Sequence, residues 1–341
     1  MLILVTGGAG FIGSEFVRRT LEWHPEDRVV VLDKLTYAGN LANLDAVAGD
    51  PRYSFVQGDI AERGVVAAAL EGVDAVVNFA AETHVDRSIL DADAFVRTDV
   101  HGTWVLCEAA RTARVARFVQ VSTDEVYGAV ATGASLETDR LDPTSPYSAS
   151  KAGGELLVLA AYKTFGLPAL VVRGANAFGP YQYPEKLIPV HITNAIDDQA
   201  LPVYGDGLQR RQWTFVSDFV SGVDTVLRSG VPGEIYNVGN PQPESDLPAN
   251  IDLSRRILAV LGKPESLLEF VVDRPAHDRR YRVDVSKLLD LGWRPRWQFW
   301  DGLDATVSWY LERPEWWRPI KSGARHQEYY EQNYGDRSVF R

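Results

Sequence analysis

Tyr147 and Lys151 are the first pair of side chains in this sequence whose spacing suits acid–base chemistry. They are four residues apart, so a helix that begins after Pro146 presents the phenol and the ammonium on the same face. The pKa of a free tyrosine is about 10, and a phenol acts as a base at neutral pH only when a cation stabilises its phenolate. Lys151 could supply that charge, although the same spacing also occurs in ordinary exposed helix pairs.

Asp124 and Glu125 are a second reactive pair, which directly follows an apolar run that ends near Ser122. If that run is a strand of a parallel sheet, both carboxyl groups stand at the carboxyl edge of the sheet, where open α/β folds bind their ligands. Two adjacent carboxyl groups can also be solvated loop residues or a helix cap. Their expected proximity to Tyr147 favours a role in catalysis.

The glycines near the amino terminus predict a dinucleotide site. Residues 2–6 are typical of a strand, and a glycine-rich turn and a helix follow, with the pattern G-x-G-x-x-G at Gly8, Gly10 and Gly13. Such a turn lets the backbone approach a pyrophosphate at the positive end of the helix. Asp33 follows 20 residues after the last glycine. An acid there accepts hydrogen bonds from the ribose hydroxyls and repels a 2′-phosphate, which favours NAD over NADP.

The ends of the neighbouring strands complete the predicted NAD site. Lys34, next to the acid, weakens the argument against NADP because it could attract a phosphate. Asp59 and Ile60 follow the third predicted strand and would lie near the adenine, while Ala80 and Ala81 follow the fourth and would flank the nicotinamide. The alternative is a glycine-rich turn that binds nothing.

The apolar runs indicate which elements position these groups. Short β-branched runs alternate with amphipathic stretches, which predicts a parallel sheet covered by helices on both faces. The predicted strands are 2–6, 29–32, 54–56, 75–79, 118–121 and 169–173, and the predicted helices are 11–21, about 92–112 and 147–165. After Arg173 prolines and glycines break this rhythm, so a second, smaller region is expected to begin there.

Composition excludes several classes of protein. The 341 residues, 45 % apolar and 24 % charged, are typical of a folded chain with one large or two joined domains. A formal charge of −11 without a basic run argues against nucleic-acid binding. No apolar run is long enough to span a bilayer. The single cysteine, Cys107, and the lack of a leader pattern after Met1 predict a cytoplasmic protein.

Eight segments together resemble the dTDP-glucose 4,6-dehydratases of the extended short-chain dehydrogenase/reductase family. They are TGGAGFIG from Thr6, LDKLTYAGN from Leu32, AAETHVDRSI from Ala80, STDEVYG from Ser122, YSASK from Tyr147, GPYQYPEKLIP from Gly179, LPVYGDG from Leu201 and RPAHDRRY from Arg274. The resemblance covers nearly the whole chain. Its Thr-Asp-Glu triplet distinguishes dehydratases from epimerases and decarboxylases of the same fold, which usually have small hydroxyl residues there.

The resemblance implies an α/β fold with a Rossmann-type doubly wound parallel sheet and a smaller carboxyl-terminal substrate-binding domain. Residues 1–175 would bind NAD and 176–341 mainly the nucleotide sugar, with part of about 213–239 returning to the first domain. A homodimer that pairs through the helices at about 92–112 and 147–165 is also implied, and no metal is expected.

The resemblance further implies a reaction. Tyr147 removes the proton of the sugar 4-hydroxyl while the C4 hydride moves to NAD, with Thr123 and Lys151 assisting. The ketone acidifies the C5 hydrogen, which Glu125 removes, and Asp124 protonates the departing 6-hydroxyl. The hydride then returns to C6 and regenerates a tightly bound NAD. Because an acid and a base at one site must titrate apart, Asp124 is expected to be protonated and Glu125 ionised.

Two sets of binding residues are carried over position by position. The cofactor set is Gly7, Gly10, Phe11, Ile12, Asp33, Lys34, Thr36, Asp59, Ile60, Ala80, Ala81, Tyr147 and Lys151. The nucleotide-sugar set is His84, Thr123, Asn176, Lys186, Leu187, Pro202, Tyr204, Arg211, Asn237, Arg274, His277 and Tyr281. Two arginines and a lysine in the second set suit the charge of a diphosphate.

Three departures from the family pattern leave the nucleotide open. Gln212 stands where relatives usually have an acid, Asn240 follows Gly239 where a second glycine is common, and Asp246 stands near an expected phosphate-binding asparagine. An acid that faces a diphosphate would be unfavourable unless it points away. A UDP-sugar or another nucleotide sugar is therefore an alternative substrate.

Two other functions fit part of the pattern. An NAD-dependent nucleotide-sugar epimerase or decarboxylase needs the glycine-rich turn, Tyr147 and Lys151 but has no need of Asp124 and Glu125. A catalytically silent scaffold that binds NAD or a sugar nucleotide would keep the fold and typically lose a reactive side chain, and none is lost here. The complete set of reactive residues favours the dehydratase.

Overall fold

The computed structural model describes residues 1–275 and 277–335. Residues 276 and 336–341 of the predicted second region therefore lie outside the described residues. In chain order the strands are β1 (Leu2–Thr6), β2 (Arg28–Asp33), β3 (Tyr53–Gln57), β4 (Ala75–Asn78), β5 (Arg117–Thr123), β6 (Ala169–Gly174), β7 (Asn176–Phe178), β8 (Leu201–Tyr204), β9 (Trp213–Phe215), β10 (Ile235–Val238) and β11 (Leu268–Val271).

The helices connect these strands. They are α1 (Phe11–Trp23), α2 (Arg63–Ala69), α3 (Val85–Leu90), α4 (Ala92–Phe95), α5 (Thr103–Ala113), α6 (Pro146–Phe165), α7 (Leu187–Ile196), α8 (Val216–Ser229), α9 (Asn250–Leu261), α10 (Ser286–Asp290), α11 (Phe299–Glu312), α12 (Pro314–Ser322) and α13 (Ala324–Tyr330). Short 3-10 helices form at Leu41–Val47, Asp124–Tyr127, Glu244–Asp246 and Glu265–Leu267, and π-helical stretches at Val96–Gly102 and Glu331–Gly335.

Seven strands form one parallel sheet in the order β10-β6-β5-β4-β1-β2-β3. Strands β1 to β3 extend in one direction and β4 to β6 in the other, so the chain reverses between β1 and β4, where open α/β sheets bind ligands. The strands are rich in valine, isoleucine and leucine because both faces are buried. The predicted doubly wound sheet is confirmed, and each predicted strand end lies within two residues of the observed one.

Two hydrophobic clusters cover the faces of the sheet. One lies under α1 and α8 and includes Phe16 and Phe219, while the other lies under α2, α5 and α6 and includes Leu106 and Val158. Strand β10 follows α8 and pairs with β6, so this later segment extends the sheet. The described residues contain no helix that is both long and apolar enough to cross a membrane.

A third cluster forms the core of the second region. It joins α7, α9 and α11 to the small pairs β7–β9 and β8–β11 through apolar side chains such as Phe178, Leu253 and Trp317. This region lies beside the carboxyl edge of the large sheet, because β7 begins two residues after β6 ends. The second region therefore borders the carboxyl edge of the large sheet.

Candidate active site

A cavity of about 400 Å³ lies at this edge, between the large sheet and the second region. All thirteen residues of the predicted cofactor set and all five predicted catalytic residues line it. Ten of the twelve predicted nucleotide-sugar residues do so as well, and the exceptions are Asn237 and Tyr281. The sequence motifs therefore converge on one site, although they are spread over more than 270 residues, from Gly7 to His277.

The glycine-rich turn after β1 is shaped for a close backbone approach. Gly7 has a φ of +68°, and a Cβ there would lie 2.6 Å from the Ala80 nitrogen. A Cβ on Gly13 would lie 2.3 Å from the Gly7 oxygen. Gly10 caps α1 without a side-chain hydrogen bond, so the first N–H groups of the helix stay available to an anion.

The adenosine end carries two acids with different partners. Asp33 accepts hydrogen bonds from the backbone of Ala9 at 3.0 Å and Leu35 at 2.8 Å, and it borders the cavity. Asp59 forms an ion pair with Lys34 at 2.8 Å. The charge of Lys34 is therefore partly balanced within the protein, which reduces its attraction for a 2′-phosphate and favours NAD.

Tyr147 and Lys151, which we call the redox pair, lie on the first turns of α6. Ser145 caps this helix, Pro146 occupies its first turn, and Tyr147 and Lys151 both face the cavity. The Lys151 ammonium is buried and donates to the Val121 carbonyl at 2.8 Å. Strand β5 therefore fixes the cation beside the tyrosine.

The protein alone disfavours the ionised form of Tyr147. Burial, followed by the charges of Glu125 and Asp99, raises the pKa of its phenol well above the usual value, and the hydrogen bond with the Thr123 hydroxyl opposes this. Burial also lowers the pKa of Lys151, against the attraction of Asp99. A further positive charge, such as an oxidised nicotinamide, is needed to make the phenol a base at neutral pH.

The two predicted catalytic carboxyl groups follow the carboxyl end of strand β5. Asp124 and Glu125 begin the 3-10 helix that follows, and the Thr123 hydroxyl accepts from the Glu125 nitrogen at 3.3 Å. The same hydroxyl lies 3.3 Å from one oxygen of Asp124, and the other Asp124 oxygen is buried without a partner among the described residues. This second oxygen is the one left to act on a ligand.

These two acids have different numbers of cations around them. Burial and the charge of Glu125 raise the pKa of Asp124 to about 8, with Arg211 as the opposing cation. Burial also raises the pKa of Glu125, but Arg274, Arg211 and Lys186 oppose it. Asp124 is therefore protonated at neutral pH, while three cations favour the ionised form of Glu125.

Positively charged side chains also border the cavity, among them Arg211 and Lys186. Arg211 is 5 % exposed, donates to backbone oxygens of Arg210 and Asp278 at 2.8 Å, and stacks 4.4 Å over the Tyr281 ring. Burial lowers the pKa of Arg211 and of Lys186, so both sites disfavour a bare positive charge. An anionic group such as a diphosphate would stabilise both cations.

Two predicted nucleotide-sugar residues lie behind the cavity lining. Asn237 lies in β10, fully buried, and its amide donates to the Ser135 and Asp284 carbonyls and accepts from Tyr127. Tyr281 is 3 % exposed and lies beneath Arg211. Neither side chain borders the cavity, so Asn237 joins backbone segments and Tyr281 supports the arginine.

The three departures from the family pattern lie outside the cavity lining. Gln212 donates to the Asn240 carbonyl at 2.6 Å and accepts from the Val283 nitrogen at 2.8 Å, so two of the departures contact each other. Asp246 is exposed in a 3-10 helix and does not border the cavity. Asn250, at the start of α9, does border it, and its side-chain oxygen is buried without a partner among the described residues.

The expected phosphate-binding asparagine stays a prediction, and Asn250 is the asparagine of the cavity lining that lies near the expected position. Other cavity residues were also missed, of which Asp86 and Glu185 lie inside the family-like segments from Ala80 and Gly179. Asp86 pairs with Arg274 at 3.1 Å. Tyr334 gave no signal in the sequence, because it reaches the cavity from the end of the described chain.

Comparisons with known proteins agree with this site. A model of the family described as GDP-mannose 4,6 dehydratase matches residues 4–306. A dTDP-glucose 4,6-dehydratase of Streptomyces niveus is 50 % identical, with 94 % of this chain and 96 % of the relative covered. A crystal structure of a dTDP-glucose 4,6-dehydratase from Streptomyces venezuelae, with NAD and TYD bound, is 49 % identical with a TM-score of 0.91 and covers 94 % and 100 % of the two chains.

A more distant structure has a different reaction in its title. The UDP-glucuronic acid 4-epimerase of Bacillus cereus, in complex with UDP-glucuronic acid and NAD, is 28 % identical with a TM-score of 0.86, and the match covers 92 % of this chain and 99 % of that one. The fold is thus shared by dehydratases and epimerases, and the site residues must decide between the two reactions.

Proposed function

Because the chain belongs to the GDP-mannose 4,6 dehydratase family and is about half identical to dTDP-glucose 4,6-dehydratases, we propose that it converts dTDP-glucose to dTDP-4-keto-6-deoxyglucose and water. The observation that carries this proposal is the pair of carboxyl groups Asp124 and Glu125. They lie in one cavity with Tyr147 and Lys151, and their surroundings favour an acid and a base side by side. An epimerase would need neither carboxyl group.

The part of the cavity beside the glycine-rich turn and α1 fits a dinucleotide. A side chain on Gly7 or Gly13 would fill the cradle under the first turn of α1, and Asp33 is placed for ribose hydroxyls. When bound, NAD would accept the C4 hydride, return it to C6 and add a positive charge near Tyr147. These fits support a cofactor that stays bound through the turnover.

The side chains divide the proton transfers between them. Tyr147 takes the proton of the 4-hydroxyl, Glu125 takes the C5 proton, and the partner-free oxygen of Asp124 protonates the leaving 6-hydroxyl. Glu125 then exchanges this proton with solvent and returns a proton to C5. At the end Tyr147 holds one extra proton and Asp124 lacks one, so a proton must pass between them before the next turnover. Thr123 interacts with both groups and is positioned to carry it.

Three cations support a nucleoside diphosphate as the other half of the substrate. Lys186, Arg211 and Arg274 border the cavity beyond the catalytic pair, together with His277, whose pKa is lowered by burial. The departures that put the nucleotide in doubt lie outside the lining, and Asn250 supplies an asparagine there. These placements remove the specific argument against dTDP-glucose.

We also propose a homodimer in the cytoplasm. The helical run from α4 to α5 and helix α6 expose apolar side chains that a partner could cover, such as Val96 at 55 % and Leu156 at 53 %. Cys107 is buried and leaves the fold independent of disulfides. Light scattering on the eluted protein tests the dimer, and Leu156→Glu should shift a dimer towards the monomer.

The function is tested with purified protein, dTDP-glucose and no added NAD, in heavy water. We expect the sugar nucleotide to lose the mass of one water and to gain one deuterium at C5, and Tyr147→Phe to abolish both changes. A parallel reaction with UDP-glucose tests the alternative nucleotide. An epimer without loss of water would overturn the proposed reaction.

A further inference from the structure

A buried carboxyl group outside the predicted catalytic set lies behind the redox pair. Asp99 is 2 % exposed and belongs to the π-helical stretch Val96–Gly102, an irregularity that is frequent at functional sites. Its backbone packs closely on α6, because a Cβ on Gly154 would lie 2.3 Å from the Asp99 carbonyl oxygen. The π-helical stretch thus brings this carboxyl group against the helix that carries Tyr147 and Lys151.

Both oxygens of Asp99 have partners near the site. One accepts from the Ser150 hydroxyl at 2.7 Å and the other from the Glu82 nitrogen at 3.1 Å. The Ser150 hydroxyl also lies 2.8 Å from the Tyr147 carbonyl oxygen. Asp99 is therefore connected to the turn of α6 that holds the phenol.

The charge of Lys151 needs a counter-ion inside the protein. Its ammonium donates to a neutral carbonyl, and the carboxylates that favour its charged form are Asp99 and Glu155. Glu155 is already paired with Arg173 at 2.6 Å. Of the two carboxylates, Asp99 is thus the one whose charge is left to balance Lys151.

We propose that Asp99 is a positioning residue of the redox step, which balances the charge of Lys151 and holds the Tyr147 turn through Ser150. This inference rests on the proposed function, because it assigns a role within the same reaction. It differs from the catalytic roles above because Asp99 does not border the cavity.

The charge of Asp99 also affects how the site titrates. Burial raises its pKa to about 6, against the attraction of Lys151, so Asp99 is ionised at neutral pH. Its negative charge then opposes ionisation of Tyr147, as the charge of Glu125 does. Glu82, whose pKa burial and Asp99 raise to about 7, faces it from the end of β4. Removing the charge should lower the pKa of Tyr147, so a larger fraction of the phenol ionises at a given pH.

The test is Asp99→Asn in the holoenzyme, which keeps the shape of the side chain and removes its charge. The near-ultraviolet absorbance of reduced nicotinamide, followed after rapid mixing with dTDP-glucose, reports the oxidation step. We expect the acidic limb of its pH profile to move to lower pH by roughly half a unit or more, with KM changed less than about twofold. Ser150→Ala keeps the charge, so it should slow the oxidation several-fold without moving the limb.

Asp218→Asn is the matched control. Asp218 is a buried carboxylate in α8 that accepts from the backbone of Arg296 and Trp297, and it does not border the cavity. Asp218→Asn should lower the melting temperature of the protein without moving the acidic limb of the pH profile. The proposal is overturned if Asp99→Asn behaves in the same way, or if Ser150→Ala oxidises the sugar at the wild-type rate. A wild-type protein that does not oxidise dTDP-glucose would instead count against the proposed function.

Discussion

At the scale of single residues, the proposed chemistry depends on two neighbouring carboxyl groups, Asp124 and Glu125, which face different charges. Burial and the charge of Glu125 raise the pKa of Asp124 to about 8, and the opposing charge of Arg211 does not bring it below neutral pH. Glu125 faces Arg274 and Lys186 in addition. Sequence adjacency alone would leave the acid and the base unassigned, and the placement of the cations supports Asp124 as the proposed acid and Glu125 as the proposed base.

Asp124→Asn tests the proposed acid. The amide keeps the size of the side chain but has no proton to give to the leaving hydroxyl, so dehydration should fall by at least about 100-fold. The oxidation that precedes it should continue, and reduced nicotinamide should accumulate. Absorbance and product mass on one sample separate the two steps. Full dehydration by this variant would refute Asp124 as the acid.

The pH dependence of dehydration tests the same assignment in the unmodified protein. The active form of Asp124 is the protonated one, and its pKa is raised to about 8, so the activity it supports is present at neutral pH and is lost as the pH rises through that value. This loss is measured in single-turnover reactions that are quenched at each pH, with the dehydrated product quantified by mass spectrometry. A rate that stays constant well above the raised pKa would contradict it.

At the scale of elements, the sequence predicts the sheet better than the details of its helices. Runs of β-branched residues mark buried parallel strands clearly, so β1 to β6 were predicted. The helix predicted over about 92–112 contains the π-helical stretch Val96–Gly102 instead, because apolar periodicity does not resolve a local change of hydrogen bonding. Asn250 was not predicted to line the cavity, because the segment before α9 diverges from the family pattern and its alignment could not be read from the sequence. The division into domains at residue 175 stays a prediction.

The turn before α1 gives a prediction at this scale. A methyl group on Gly13 would meet the Gly7 carbonyl oxygen at 2.3 Å, so Gly13→Ala should distort the cradle and weaken NAD binding by at least about tenfold. Calorimetric titration of the apoprotein with NAD measures this. Gly64→Ala, in α2, adds a methyl group with no neighbouring atom within 4 Å and should leave NAD affinity unchanged. Equal losses in both variants would show that the cradle geometry is not the cause.

At the scale of the whole molecule, the last described segment closes one side of the site. Asn333 donates to the Tyr204 hydroxyl at 3.0 Å and to Asp86 at 3.4 Å, and Tyr329 lies 3.2 Å from His84. These contacts join the end of the described chain to the segment after β4. No pattern in the sequence predicts such contacts, because they depend on how distant segments pack.

Arg87 joins the two halves of the molecule at this point. Its guanidinium lies 3.8 Å from the Tyr37 ring centroid and 4.0 Å from that of Tyr329, and it pairs with Glu185 at 2.9 Å. Tyr37 follows β2 on the NAD side, whereas Tyr329 and Glu185 belong to the second region. A planar, stacked cation between two rings is a geometry that lysine cannot reproduce.

Arg87→Lys should therefore loosen the two halves without removing charge. We expect a loss of about 1–2 kcal/mol in the free energy of unfolding. KM for dTDP-glucose should rise several-fold with a smaller change in kcat, because Glu185 and His84 border the cavity. Arg256→Lys, at an exposed ion pair with Asp304, should leave both quantities almost unchanged. Thermal unfolding and steady-state kinetics compare the variants, and equal effects would mean that the stacking of Arg87 contributes nothing beyond a surface ion pair.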